Sequence, residues 1–164
     1  MFETKPFQGT PEELSEFVIN AWKSTYAGTM SVPYWNQAHL SRQLGLQGFS
    51  HALVAEERGE VRGCIGYHVL PVCGKTLENV GVIDLMFTSE LSATARNELL
   101  NTALRELRDL GSVVALKLRT GDYPGRTFLR WGWFCKPPDS QILMTWANEP
   151  RQLPPVRRLH VLWR

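Results

Sequence analysis

The chain has 164 residues, the size of one domain, and its 43% hydrophobic and 21% charged residues are ordinary globular values that exclude wholesale disorder. No apolar stretch approaches the ~18 residues a membrane span needs. Residues 1–116 carry 9 bases against 13 acids (net −4) and residues 117–164 carry 9 against 3 (net +6). That basic second part suits an anionic ligand such as a phosphate-bearing cofactor, or RNA, and equally a solvated face with a basic tail.

The opening MFETKPFQGTPEELSEFVIN has several acids and no apolar run of signal-peptide length. Cys64, Cys73 and Cys135 form neither an even set nor a CxxC pair, so a reducing, cytoplasmic location with no membrane partner is expected. Thr10-Pro11-Glu12-Glu13 reads as a capping box with Pro11 at the first helical position. Leu14, Phe17, Val18, Ala21, Trp22 and Tyr26 continue it at helical period. A less regular helix is expected from about Pro33 to Leu44.

Strand character follows. His51–Ala55 is short and apolar, Glu56–Glu60 reads as a charged turn, and Val61–Leu70 as the hairpin partner. On that partner Val61, Gly63, Ile65, Tyr67 and Val69 share one face, and Cys64, Gly66 and His68 the other. Gly63 and Gly66 suggest a bulge or a close backbone approach. Val80–Phe87 reads as a buried central strand whose one ionisable residue is Asp84.

Leu99, Leu100, Ala103, Leu104, Leu107 and Leu110 form a helical stripe closed by Gly111. Val113–Leu118 is a further strand, Asp122–Trp131 a short helix opening at Pro124, and Trp133–Cys135 with Gln141–Trp146 a closing strand pair. Ala147–Pro155 is a proline-bearing linker, and Val156–Arg164 a basic tail that packs on the domain or meets a partner. A hairpin followed by strand–helix–strand implies a mixed sheet.

This order of elements resembles the GNAT superfamily of acyl-CoA-dependent N-acyltransferases over about residues 7–146. Three stretches carry the likeness: PEELSEFVINAWKSTYAG, IDLMFTSELSATARNELLNTAL and RTFLRWGWF. The resemblance implies an α/β (α+β) fold with a mixed, mostly antiparallel central sheet flanked by helices. The sheet would splay between strands 80–87 and 112–118. An acyltransferase domain would span 1–146, with 147–164 as linker and tail.

The implied co-substrate is acetyl-CoA or another acyl-CoA, with no metal. The implied partner is a small-molecule or protein amine. Nucleic acid is not expected, and a homodimer stays open. A loop opening a helix offers unsatisfied N–H groups and the positive end of the helix dipole, which suit pyrophosphate. Here that loop is Ser92-Ala93-Thr94-Ala95-Arg96-Asn97, where Ser92 and Thr94 cap or donate and Arg96 adds charge. The family's usual Arg/Gln-x-x-Gly-x-Gly/Ala pattern finds Ser92, Ala95 and Asn97 instead, without its glycines. By position, the backbone of Leu85 and Phe87 would pair with the pantetheine arm.

Acyl transfer needs an uncharged amine, hence a base. Asp84 is the candidate, its alternative being a structural carboxylate held by an arginine or a backbone donor. Glu78 is more readily a solvated turn residue. Where many family members carry a tyrosine acid, this chain has Phe128, so Tyr123 is the substitute, or else a packing residue. Arg126 faces the cofactor phosphates or simply solvent. Tyr26, Tyr34 and Trp35 are acceptor-pocket candidates, whereas Trp22 is core. Cys64, His68 and Cys73 match no standard zinc spacing and read as a buried thiol and a satisfied strand histidine. The rival to an enzyme is a GNAT-like domain without catalysis, sensing acyl-CoA or binding a protein.

Overall fold

The computed structural model describes residues 2–27, 30–32, 44, 50–118, 121–122, 128–129, 132–134 and 159–161. Its elements in chain order are β1 (Glu3–Pro6), α1 (Pro11–Thr25), β2 (Met30–Val32), β3 (His51–Glu57), β4 (Glu60–Cys73), β5 (Leu77–Phe87), α2 (Ala93–Asp109), β6 (Ser112–Lys117) and β7 (Leu159–Val161). One mixed sheet runs β1-β3-β4-β5-β6. Its neighbours are antiparallel except the parallel pair β5–β6, which α2 connects. β7, inside the basic tail, pairs parallel with β2. The mixed, mostly antiparallel sheet with flanking helices is as expected.

The capping box on α1 forms: Thr10 Oγ1 accepts the N–H of Glu13, and Glu13 Oε2 accepts the N–H of Thr10. One face of the sheet packs a cluster with Leu14 and Val18 of α1, Leu44, Val54, Cys64, Leu85 and Phe87. The opposite face packs Leu53, Ile65, Tyr67, Ile83 and Met86 against Leu99, Leu100, Ala103 and Leu107 of α2. Each fully buried leucine or isoleucine there contributes about 1.5–3 kcal/mol of transfer free energy.

Several expectations need adjustment. β1 is an edge strand that the polar ETKP stretch does not announce; β3 supplies its pairing. The turn expected over Glu56–Glu60 shrinks to Arg58-Gly59, both at positive φ (55° and 81°), so both strands lengthen into it. β4 bulges where Ala55 faces Gly63 and Glu56 faces Val61, leaving Arg62 as the extra residue. That extra residue moves Val61 away from the Ile65–Tyr67 face and onto the α1-side cluster.

Gly63 is a close approach, since a Cβ there would lie 2.5 Å from Leu91 Cδ1. Leu110 is 44% exposed and leaves the buried stripe of α2, as the helix ends at Gly111 with φ 83°. Trp133 and Phe134 adopt no strand. The expected helix over 33–44, apart from the buried turn residue Leu44, and the strand over 141–146 lie outside the described residues.

Candidate active site

Asp84 is a bulge residue. Gly66 pairs with Leu85 and Tyr67 with Ile83, so Asp84 has no counterpart on β4. Its neighbours Ile83 and Leu85, which regular alternation would place on one face, pack on opposite faces of the sheet. The parallel ladder also stops here. It runs from Asn79/Ser112 to Ile83/Lys117, and Leu118 donates its N–H to Ile83 O at 3.1 Å. The chain meets β5 again at Gly121, through a single bridge to Met86. The two strands are thus parted beside Asp84 and Leu85.

Five polar side chains gather around that break. Asp84 is 6% exposed, and its Oδ2 lies 2.6 Å from Nδ1 of the fully buried His68 on β4. Lys117, half-buried at the end of β6, donates to the carbonyl of Leu118 and lies within electrostatic reach of Asp84 and Asp122. Desolvation lowers its amine to about 7, against the opposing pull of those two carboxylates. Asp122 accepts the N–H groups of Thr88 and Ser89 and the hydroxyl of Thr88. Its own N–H donates to Met86 O at 3.1 Å. Tyr26 closes the arrangement, its hydroxyl oxygen accepting the N–H of Gly121 at 2.8 Å, and burial raises that phenol.

The turn from β5 into α2 is ordered by its own side chains. Ser92 is the N-cap and accepts the N–H of Ala95 at 3.2 Å. Ala93 and Thr94 are exposed at the first two helical positions, whose N–H groups have no intrahelical acceptor. Ala95 is 8% exposed and packs in the α2-side core, and Asn97 is half-buried. Arg96, expected to add charge for a phosphate, turns back and donates to the carbonyls of Thr88 and Leu91 at 3.5 and 3.4 Å.

The backbone edge differs from expectation by one residue. Met86 directs its carbonyl to the β6 side, so strand alternation turns the backbones of Leu85 and Phe87 toward β4. Both side chains are buried beneath α1. The Asp84 bulge, which no local pattern announces, causes this shift. Phe128 is also buried, in the α2-side core, edge-on to Trp133 at 5.3 Å. Tyr26, rather than lining an open pocket, is the C-cap residue of α1 and a strut to Gly121. Tyr34, Trp35, Tyr123 and Arg126 lie outside the described residues.

A cleft of about 140 Å³ opens between α1 and the β5–α2 turn, walled by Asn20, Ser24, Arg62 and Thr88 to Glu90. Arg62 is held there by Glu90 at 3.0 Å and by Glu60. Sequence reasoning passed over His68 as a partner for Asp84, and over Lys117 and Asp122. The available signal was the set of ionisable residues on adjoining strands. A wider trough of about 520 Å³ runs along the outer surface of α2, among Glu98, Asn101, Arg105 and Arg108, and holds none of these groups.

No family model and no curated protein sequence matches the chain. Solved structures do. An aminoglycoside acetyltransferase from an uncultured soil metagenomic sample is 15% identical at a TM-score of 0.63, covering 88% of this chain and 99% of that one. Ribosomal-protein-alanine N-acetyltransferase from Brucella melitensis is 12% identical at 0.60, covering 88% and 99%. A GNAT family acetyltransferase from Staphylococcus aureus is 13% identical at 0.58, covering 87% and 98%. The likeness is one of fold, and the fold is that of the GNAT acetyltransferases.

Proposed function

We propose that the chain is an acyl-CoA-dependent N-acyltransferase that moves an acetyl group to a primary amine by direct attack in a ternary complex. The observation that carries this reading is the bulged, nearly buried Asp84 at the break between β5 and β6. A carboxylate so placed can take a proton from an amine without solvent competing for it.

The exposed start of α2, at Ala93 and Thr94, fits the phosphates of the co-substrate, as an uncompensated helix N-terminus does. The amine nitrogen would attack the thioester carbonyl, forming the C–N bond as the C–S bond breaks, with its proton passing to Asp84. A backbone N–H at the parted strands, with Met86 the residue facing that side, would polarise the carbonyl. Tyr123 is the proposed acid for the departing thiolate. The acceptor would enter through the polar cleft of Asn20, Ser24 and Glu90. A small-molecule amine, as for the aminoglycoside acetyltransferase, or a protein N-terminus, as for the ribosomal-protein-alanine enzyme, fits that description.

A second reading, an acyl-CoA-binding domain without turnover, draws on one specific observation. Gly121 and Asp122 occupy the Met86 edge and the N–H groups of Thr88 and Ser89, the groups a ligand arm would use. Calorimetric titration with acetyl-CoA and with desulfo-CoA, followed by thiol release with DTNB over a panel of amines, separates the two. Micromolar binding that Thr94→Glu weakens, together with turnover that Asp84→Asn lowers by about 10²–10⁴-fold, supports the enzyme. Binding without thiol release supports the second reading, and no binding of either compound removes both.

A further inference from the structure

Among the described residues, His68 is the imidazole in contact with the proposed base, and the acyl-transfer reading leaves it without a task. Its Nδ1 lies 2.6 Å from Asp84 Oδ2, the imidazole fully buried and the carboxyl 6% exposed. Of the two, only Asp84 keeps any exposed surface. Burying a carboxylate and an imidazole together is expensive, and two apolar residues of similar volume would hold a strand at least as well. The pair also depends on an irregularity. Asp84 is the bulge residue of β5, between Ile83, which pairs with Tyr67, and Leu85, which pairs with Gly66.

We propose that His68 is a positioning residue for Asp84. Its Nδ1, packed against Oδ2, fixes the rotation of the carboxyl that receives the amine proton. The proton stays on the carboxyl until it leaves for solvent. Among the described residues, the charged groups near Asp84 come from the neighbouring strand and its extension, the Lys117 amine and, beyond it, Asp122. This proposal rests on the acyltransferase reading, in which Asp84 is the base.

Two measurements test it, one independent of turnover. Long-range nitrogen–proton NMR of ¹⁵N-histidine-labelled protein, with His68 assigned through His68→Gln, reads which ring nitrogen carries the hydrogen. The expected result is an Nδ1–H tautomer with a strongly downfield, exchange-protected proton that moves upfield in Asp84→Ala. An Nε2–H tautomer overturns the proposal. In the thiol-release assay, with whichever panel amine the unmodified protein acetylates, His68→Leu should lower kcat on the order of 100-fold, the scale of a misplaced reacting group. KM for acetyl-CoA should stay unchanged.

His68→Gln, which keeps a donor, should recover most of the rate. In an Asp84→Asn background His68→Leu should cost nothing more, because His68 acts only through Asp84. Equal losses in both backgrounds overturn the positioning role and leave Asp84 as the base. Absence of thiol release from the unmodified protein with every amine, beside an intact NMR signature, removes the acyltransferase reading and the proposal with it. Should His68→Leu not fold, the tautomer and His68→Gln still decide.

Discussion

Lys117 ends β6 with a half-buried amine whose neighbours are carboxylates, and its titration is a property of the folded state. Desolvation lowers it from 10.5 to about 7. Between these two values the unfolded chain keeps a proton that the folded chain has lost. Stability therefore rises with pH across that window, and below about 7 the folded state bears the full cost of the buried ammonium. Lys117→Met should flatten this rise. The variant should be more stable than the unmodified protein near pH 7, with the difference shrinking toward pH 10.5. Urea unfolding at several pH values measures it, and parallel profiles for the two proteins count against the lowered amine. Cys64 behaves in the opposite sense, its buried thiol pushed up to about 12 and so inert as a nucleophile.

Among the elements, the join between β5 and the segment after β6 decides what the site can admit. Gly121 sits at φ 130° against the Met86 backbone, where a Cβ would lie 1.7 Å from the carbonyl oxygen. The Tyr26 hydroxyl and the Asp122 carboxylate hold that segment on either side. Gly121→Ala combines an unfavourable φ with a backbone clash, so it should destabilise the fold by at least about 2 kcal/mol. An unchanged urea midpoint would mean that Gly121 does not lie on Met86. The same join shows what local pattern withholds. The α1 cap and the α2 stripe are visible in short-range spacing, because caps and amphipathic faces are local properties. The bulges at Arg62 and Asp84 arise from the match between two strands, which no single segment encodes. For that reason Met86, and not Leu85 or Phe87, presents its backbone to the β6 side.

At the scale of the whole molecule, a ligand that binds only the folded state stabilises it by mass action. Acetyl-CoA at a hundredfold its Kd should raise Tm by roughly 5–10 °C for a chain of this size. A scan showing no shift at millimolar acetyl-CoA would speak against a co-substrate site.

The sequence by itself determined α1, the run of strands β3 to β5, α2 and β6 in that order, though not β1, β2 or β7. It also marked the cap at Thr10, the stop at Gly111 and the lone acid Asp84 within the apolar run 80–87, since these follow from backbone chemistry and apolar period. Only the tertiary structure decided that Asp84 lies on a bulge against His68, and that Arg96 turns back onto the carbonyls of Thr88 and Leu91. It likewise decided that Tyr26 braces Gly121. Those outcomes depend on which residues, distant in the chain, share a low-dielectric space, and a one-residue slip in strand register is enough to change them.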